Sequence, residues 1–188
     1  TEEPLLRRQQ QPECPQASIL PDWGHAEVFS PNESVWQMRE AIRSRPGRIT
    51  LLTVGPLTNV GLLFAMDPEI PTLIKRLVMM GGSFWRGDVC EWNMACDPHA
   101  AARVFRAREP EAHVHGLNVT KECRLDSGEC RRRFSGNALE IVADMAEVWF
   151  EEKDHITFHD PLAACSVFNP ELCEYVRGDV GVEYDQHN

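Results

Sequence analysis

Ile49-Thr50-Leu51-Leu52-Thr53-Val54-Gly55-Pro56-Leu57-Thr58-Asn59 decides the fold class of this chain. Its first six residues carry no charge, are rich in aliphatic and β-branched side chains, and end abruptly at a Gly-Pro pair. A short apolar run between turn residues is the pattern of a strand buried on both faces, as in a parallel sheet. Pro46-Gly47 bounds the run on one side, and beyond Gly55-Pro56 the sequence predicts a helix to about Met66. Upstream, Ser34 is placed to cap a helix through Arg45, with Val35, Met38, Ala41 and Ile42 along one face.

Outward from this unit the same alternation continues. Leu77 to Met80 is a second apolar run, ending in Gly81-Gly82, and His113 to Val119 is a third. Asp97-Pro98 opens a helix to about Ala107, Ala138 to Lys153 reads as a long amphipathic helix, and Pro161 to Phe168 as a shorter one. Asp179 to Tyr184 reads as a last strand. Strands alternating with helices predict an α/β fold, a mainly parallel sheet flanked by helices. Asp67-Pro68 and Asn169-Pro170 read as helix caps followed by proline, and Glu151-Glu152-Lys153-Asp154 as a solvated helix end. Residues 1–33, rich in Pro, Gln and Glu, show no periodicity and read as a loop-rich lead-in to the alternating region 34–188 of a single domain.

At 188 residues the chain can build one sizeable core. A net charge of −10 opposes binding to a phosphate backbone. No stretch approaches the roughly 20 apolar residues of a membrane span. Seven cysteines, an odd count without a C-x-x-C pair, point to reduced thiols in a cytoplasmic protein. Cys96 and His99, with Cys90, form a candidate zinc group, for which simple burial of the thiols is the plain alternative. The opening at Thr1 and the stop just after a strand-like run suggest a piece of a longer protein.

Ligands of open α/β sheets sit beyond the carboxyl ends of the strands. That rule gathers Val54-Gly55, Met80 to Asn93, Asn118 to Thr120 and His159-Asp160 as candidate site segments. In Phe158-His159-Asp160-Pro161-Leu162-Ala163, Asp then Pro is a helix start, which leaves His159 unexplained. An imidazole titrates near neutral pH and can serve as a general acid, or it can be merely structural. The Asp160 carboxylate and the Val54 carbonyl are oxygen donors suited to a hard cation, the alternatives being a helix cap and a solvated carbonyl. Glu91 and Asn93 straddle Trp92; in an extended loop they face the same way and can clamp vicinal hydroxyls, with Asp88 beside them. Ordinary exposed loop residues are the alternative there.

Together these strings resemble the inosine-uridine-preferring nucleoside hydrolase family. The matching segments are Ile49 to Asn59, Val78-Met79-Met80-Gly81-Gly82, Glu91-Trp92-Asn93 with Asp97-Pro98, Gly116-Leu117-Asn118-Val119-Thr120, and His159-Asp160-Pro161-Leu162-Ala163, in the family's order. The resemblance implies a Rossmann-like fold, present here incompletely, and a calcium-dependent enzyme that hydrolyses ribonucleosides to ribose and base. It implies roles in nucleoside metabolism and purine salvage, and homo-oligomers for the full-length protein. By position, the Val54 carbonyl and Asp160 carboxylate would hold calcium, and His159 would protonate the leaving base. Met80, Asp88, Glu91, Asn93 and Asp160 would contact the sugar, with Glu91 at its 5′-hydroxyl end. Asp88 falls where the family has asparagine. The family's Asp-x-Asp-x-Gly-x-Asp-Asp run has no counterpart in these residues, so a truncated, non-catalytic member acting at most as a binding protein is the alternative.

Overall fold

The structure, a computed structural model, describes residues 14–24, 33–84, 90–107, 110–136 and 138–182. The decisive run forms strand β1 (Thr50–Thr53), and the next two form β2 (Arg76–Met80) and β3 (Ala112–His115). They pair in parallel in the order β1-β2-β3, with Thr53 opposite Met79 and Met80 opposite His115. A separate antiparallel pair joins β4 (Arg124–Asp126) to β5 (His155–Thr157). The predicted α/β fold with a mainly parallel sheet is therefore the observed one.

Because side chains alternate along a strand, β2 serves two cores. Leu77 and Met79 pack with Val35, Ile42, Leu57, Leu63 and Phe64, which come from or adjoin helices α1 (Glu33–Arg43) and α2 (Thr58–Met66). Val78 and Met80 pack on the opposite side against Ala163 of helix α9 (His159–Phe168). Helix α9 crosses all three parallel strands, so the sheet is covered on both faces.

Helix α5 (Pro98–Arg106) lies against α2 at very close range. A Cβ added at Gly61 would stand 2.8 Å from the Ala100 Cβ, closer than real side chains pack. Asp97 locks the crossing. Fully buried, it caps α5 by accepting from the Ala100 N–H at 2.9 Å and also accepts from the Thr58 hydroxyl at 2.7 Å. A buried carboxylate is tolerated when its lone pairs are filled in this way.

Several expectations are corrected. Ser34 is inside α1, which is described from Glu33, so it is not the cap. The lead-in is not all loop: Pro15–Asp22 is a 3-10 helix set against α8 (Leu139–Phe150), with Trp23 donating to Asp144 at 3.1 Å. The run from His113 stops as a strand at His115, because Gly116 turns the chain into the short helix α6 (Leu117–Thr120). Residues 179–182 are not a strand, since they pair with no described strand; Tyr184 lies outside the described residues. Asp67 caps nothing with its side chain. Its carboxylate is taken by Arg39 and Arg43 of α1, whose charged fork outbids a backbone amide. Asn169 likewise makes no side-chain cap, although Pro170 does start a short 3-10 helix.

Candidate active site

At the carboxyl end of the sheet is a cleft of about 430 Å³. Its walls include Val54, just beyond β1; Met80, the last residue of β2; Leu117, just beyond β3; and Thr157, His159 and Asp160 at the junction of β5 and α9. Helix α4 (Trp92–Cys96) closes the side with Cys90, Glu91, Trp92 and Asn93. Val54, Met80, Glu91, Asn93, His159 and Asp160, chosen from the sequence, thus meet in one cavity. Asp88 lies outside the described residues.

Glu91 and Asn93 are not in an extended loop. Glu91 is the cap of α4, buried, and its two oxygens accept from the backbone N–H groups of Gly82, Asn93 and Met94 at 2.9–3.1 Å. Such a carboxylate is a structural hub, with its charge spread over three amides. Asn93 is also buried and donates through Nδ2 to the Met80 carbonyl at 3.2 Å. No described residue bonds its Oδ1, so that acceptor is available at the cleft wall.

His159 is the first residue of α9, and its Nδ1 stands 2.7 Å from the hydroxyl of Thr120. Asp160 is not the helix cap; Phe158 occupies that position, and Asp160 falls in the first turn, where the helix dipole favours a negative charge. The residue is open to solvent, yet its carboxyl pKa is raised above the usual aspartate value. Loss of water among the cleft walls is the main cause, Glu91 adds repulsion, and His159 opposes both. A crowded carboxylate that no described Lys or Arg pairs with, in the same cleft as a residue just beyond a strand end, offers oxygen to a hard cation. Asp160 and the Val54 carbonyl could supply two of the six to eight oxygens that such a cation takes.

The zinc group does not assemble. Cys96 is buried at the end of α4, Cys90 is on the cleft wall, and among the described residues no three His, Cys, Asp or Glu side chains gather closely enough to hold a metal. Trp92, Leu117, Thr157 and Pro161 line the cleft without having been assigned site roles from the sequence, and Cys90 lines it without the zinc partners expected of it. Thr157 was legible in principle, since it ends a strand beside His159.

A parallel sheet flanked by helices in this arrangement is the fold of solved nucleoside hydrolases. The chain belongs to the inosine-uridine preferring nucleoside hydrolase family, whose sequence profile matches residues 4–188. It is 33% identical to the pyrimidine-specific ribonucleoside hydrolase RihA of Salmonella paratyphi C over 184 aligned residues, covering 92% of this chain and 56% of that one. Among solved structures it is similar to the purine-preferring ribonucleoside hydrolase from Gardnerella vaginalis, with a TM-score of 0.72 and 26% identity over 86% of this chain and 54% of that one. A plant nucleoside hydrolase, PpNRh1, shares the fold at a TM-score of 0.73 and 22% identity, covering 87% of this chain and 55% of that one. The chain spans about half the length of these relatives. Among the described residues no helix is long and apolar enough to cross a membrane.

Proposed function

We propose that this chain forms part of an enzyme that hydrolyses the N-glycosidic bond of ribonucleosides, releasing ribose and the free base. The observation that carries the proposal is the convergence of Val54, Met80, Glu91, Asn93, His159 and Asp160, distant in sequence, on one cleft in a chain of this family. Glycoside cleavage passes through an oxocarbenium-like state, with positive charge growing on the sugar and negative charge on the departing group.

His159 answers the second charge. Its Nδ1 is engaged by Thr120, which leaves Nε2 to hold a proton for the leaving base. A positioned general acid typically contributes about 10²–10⁴-fold. Asn93 offers Oδ1 to a ribose hydroxyl, while Met80 and the exposed Trp92 supply apolar surface against sugar and base. Glu91 fixes the wall that carries Asn93 through its three backbone amides, and the acceptor site left on its Oε1 serves the 5′-hydroxyl end of the sugar. The Asp160 carboxylate places negative charge beside the sugar and, with the Val54 carbonyl, would hold calcium. When bound, that ion supplies orientation of the ribose hydroxyls and acidification of a water. Asp88 belongs to the same proposed sugar contact. Free thiols at all seven cysteines support a reducing, cytoplasmic setting, and self-association of the full-length protein is part of the same reading.

The test is release of hypoxanthine from inosine and uracil from uridine by the full-length protein with calcium, against a His159→Ala variant. Base release that falls on inosine in the variant supports the assignment. A folded protein that binds calcium but releases no base from either substrate would instead be a binding member of the family.

A further inference from the structure

Of the Gly116-Leu117-Asn118-Val119-Thr120 segment, Leu117 lines the cleft and Thr120 stands behind His159. Thr120 is fully buried, and its Oγ1 stands 2.7 Å from His159 Nδ1. Its backbone is held from both sides: the N–H donates to the Gly116 carbonyl and the carbonyl accepts from the Cys123 N–H, each at 3.1 Å. Gly116 itself has no room for a side chain, since a Cβ there would meet Asn118 Oδ1 at 2.5 Å and Phe84 Cδ2 at 2.6 Å. A β-branched side chain on so fixed a backbone has little rotational freedom.

Among the described residues the hydroxyl has one partner, the imidazole. A buried hydroxyl that donates to nothing is costly, so against a neutral ring it donates to Nδ1. The ring proton is then confined to Nε2, the nitrogen left for the cleft that His159 lines. We infer that Thr120 is the positioning residue for His159, fixing the ring orientation and the Nε2–H tautomer from behind. Its effect on turnover rests on the hydrolase reading above; the tautomer itself does not.

The experiment is long-range ¹H–¹⁵N NMR of the His159 imidazole in its neutral form, in the full-length protein and in Thr120→Val and Thr120→Ser. Nε2–H is expected in the wild type and in T120S, and a tautomer mixture in T120V. Turnover of inosine by T120V should fall roughly 10- to 100-fold in kcat with KM little changed, part of what a positioned acid contributes. Hydrolysis of 4-nitrophenyl riboside, whose phenolate leaves without protonation, should be retained, and T120S should recover inosine turnover. An Nδ1–H tautomer in the wild type, an unaltered tautomer in T120V, or equal loss on both substrates would overturn the assignment. If T120V does not fold, the wild-type and T120S spectra still decide it. If the protein cleaves no nucleoside, the hydrolase reading fails by itself and the spectra still judge Thr120.

Discussion

Arg43 grips Asp67 with Nε and Nη2, each at 2.6 Å, and so ties α1 to the end of α2. Arg39 adds a third contact at 2.8 Å, and Asp67 is buried beneath the two guanidiniums. The fork of Arg43 is the main reason that the carboxyl pKa is lowered from 3.8 to about 2. An unfolded chain binds the proton at higher pH than the folded one, so this stabilisation is complete above about pH 4 and is lost as pH falls toward 2. Acid unfolding followed by circular dichroism should show a step in that window that Asp67→Asn removes. Superimposable acid limbs would mean that the clamp contributes nothing.

Asp97 joins α2 and α5 through Thr58 and the Ala100 amide. Asp97→Ala removes a helix cap and strands a buried hydroxyl, and should cost about 2–4 kcal/mol in denaturant unfolding. Asp97→Asn keeps the acceptor and should lose less. A loss below about 0.5 kcal/mol for the alanine variant would contradict the described crossing.

Glu91 accepts three backbone amides, one just beyond β2 and two in α4. Glu91→Gln turns one acceptor into a donor facing those amides. Hydrogen exchange at Gly82, Asn93 and Met94 should speed up together in that variant, ahead of the amides of β2. Unchanged exchange at all three would show that the carboxylate does not hold them.

Asp160 is the sole described carboxylate on the cleft that is not bound to backbone amides. Asp160→Asn should weaken calcium binding to the full-length protein by at least ~10–100-fold, the loss typical even of a supporting partner. Isothermal titration with calcium measures it. Equal affinities in the two proteins would remove Asp160 from the proposed ligand set.

How much of this was written in the sequence depends on range. Strands β1 and β2 and helices α2, α5, α8 and α9 came from local pattern, because burial on both faces demands an uninterrupted apolar run and turn residues bound it. The fate of Asp67 could not be read that way. Asp-Pro is locally a cap, but Arg39 and Arg43 arrive from a helix more than twenty residues earlier. The strand expected from Asp179 failed for a similar reason, since an apolar run becomes a strand only by pairing with a neighbour, and residues 179–182 pair with no described strand. In the cleft, the end-of-strand rule found Val54, Met80 and His159, whereas Thr120 was invisible as a partner because its role is a contact between β3's successor helix and α9. Glu91 and Asn93, two residues apart, share a side only in extended chain, whereas here Glu91 caps α4 by accepting from the amides two and three residues on, a geometry that polar residues flanking Trp92 do not announce.

The Glu91 hub also has an evolutionary consequence. One side chain staples the exit of β2 at Gly82 to the entrance of α4 at Met94, so the chain between Gly82 and Glu91 is bridged at its base. Insertions or deletions in that interval can accumulate while the cleft wall at Asn93 keeps its shape. Evolution can thereby change the length of one segment without disturbing the joint between β2 and α4 that carries Met80 and Asn93.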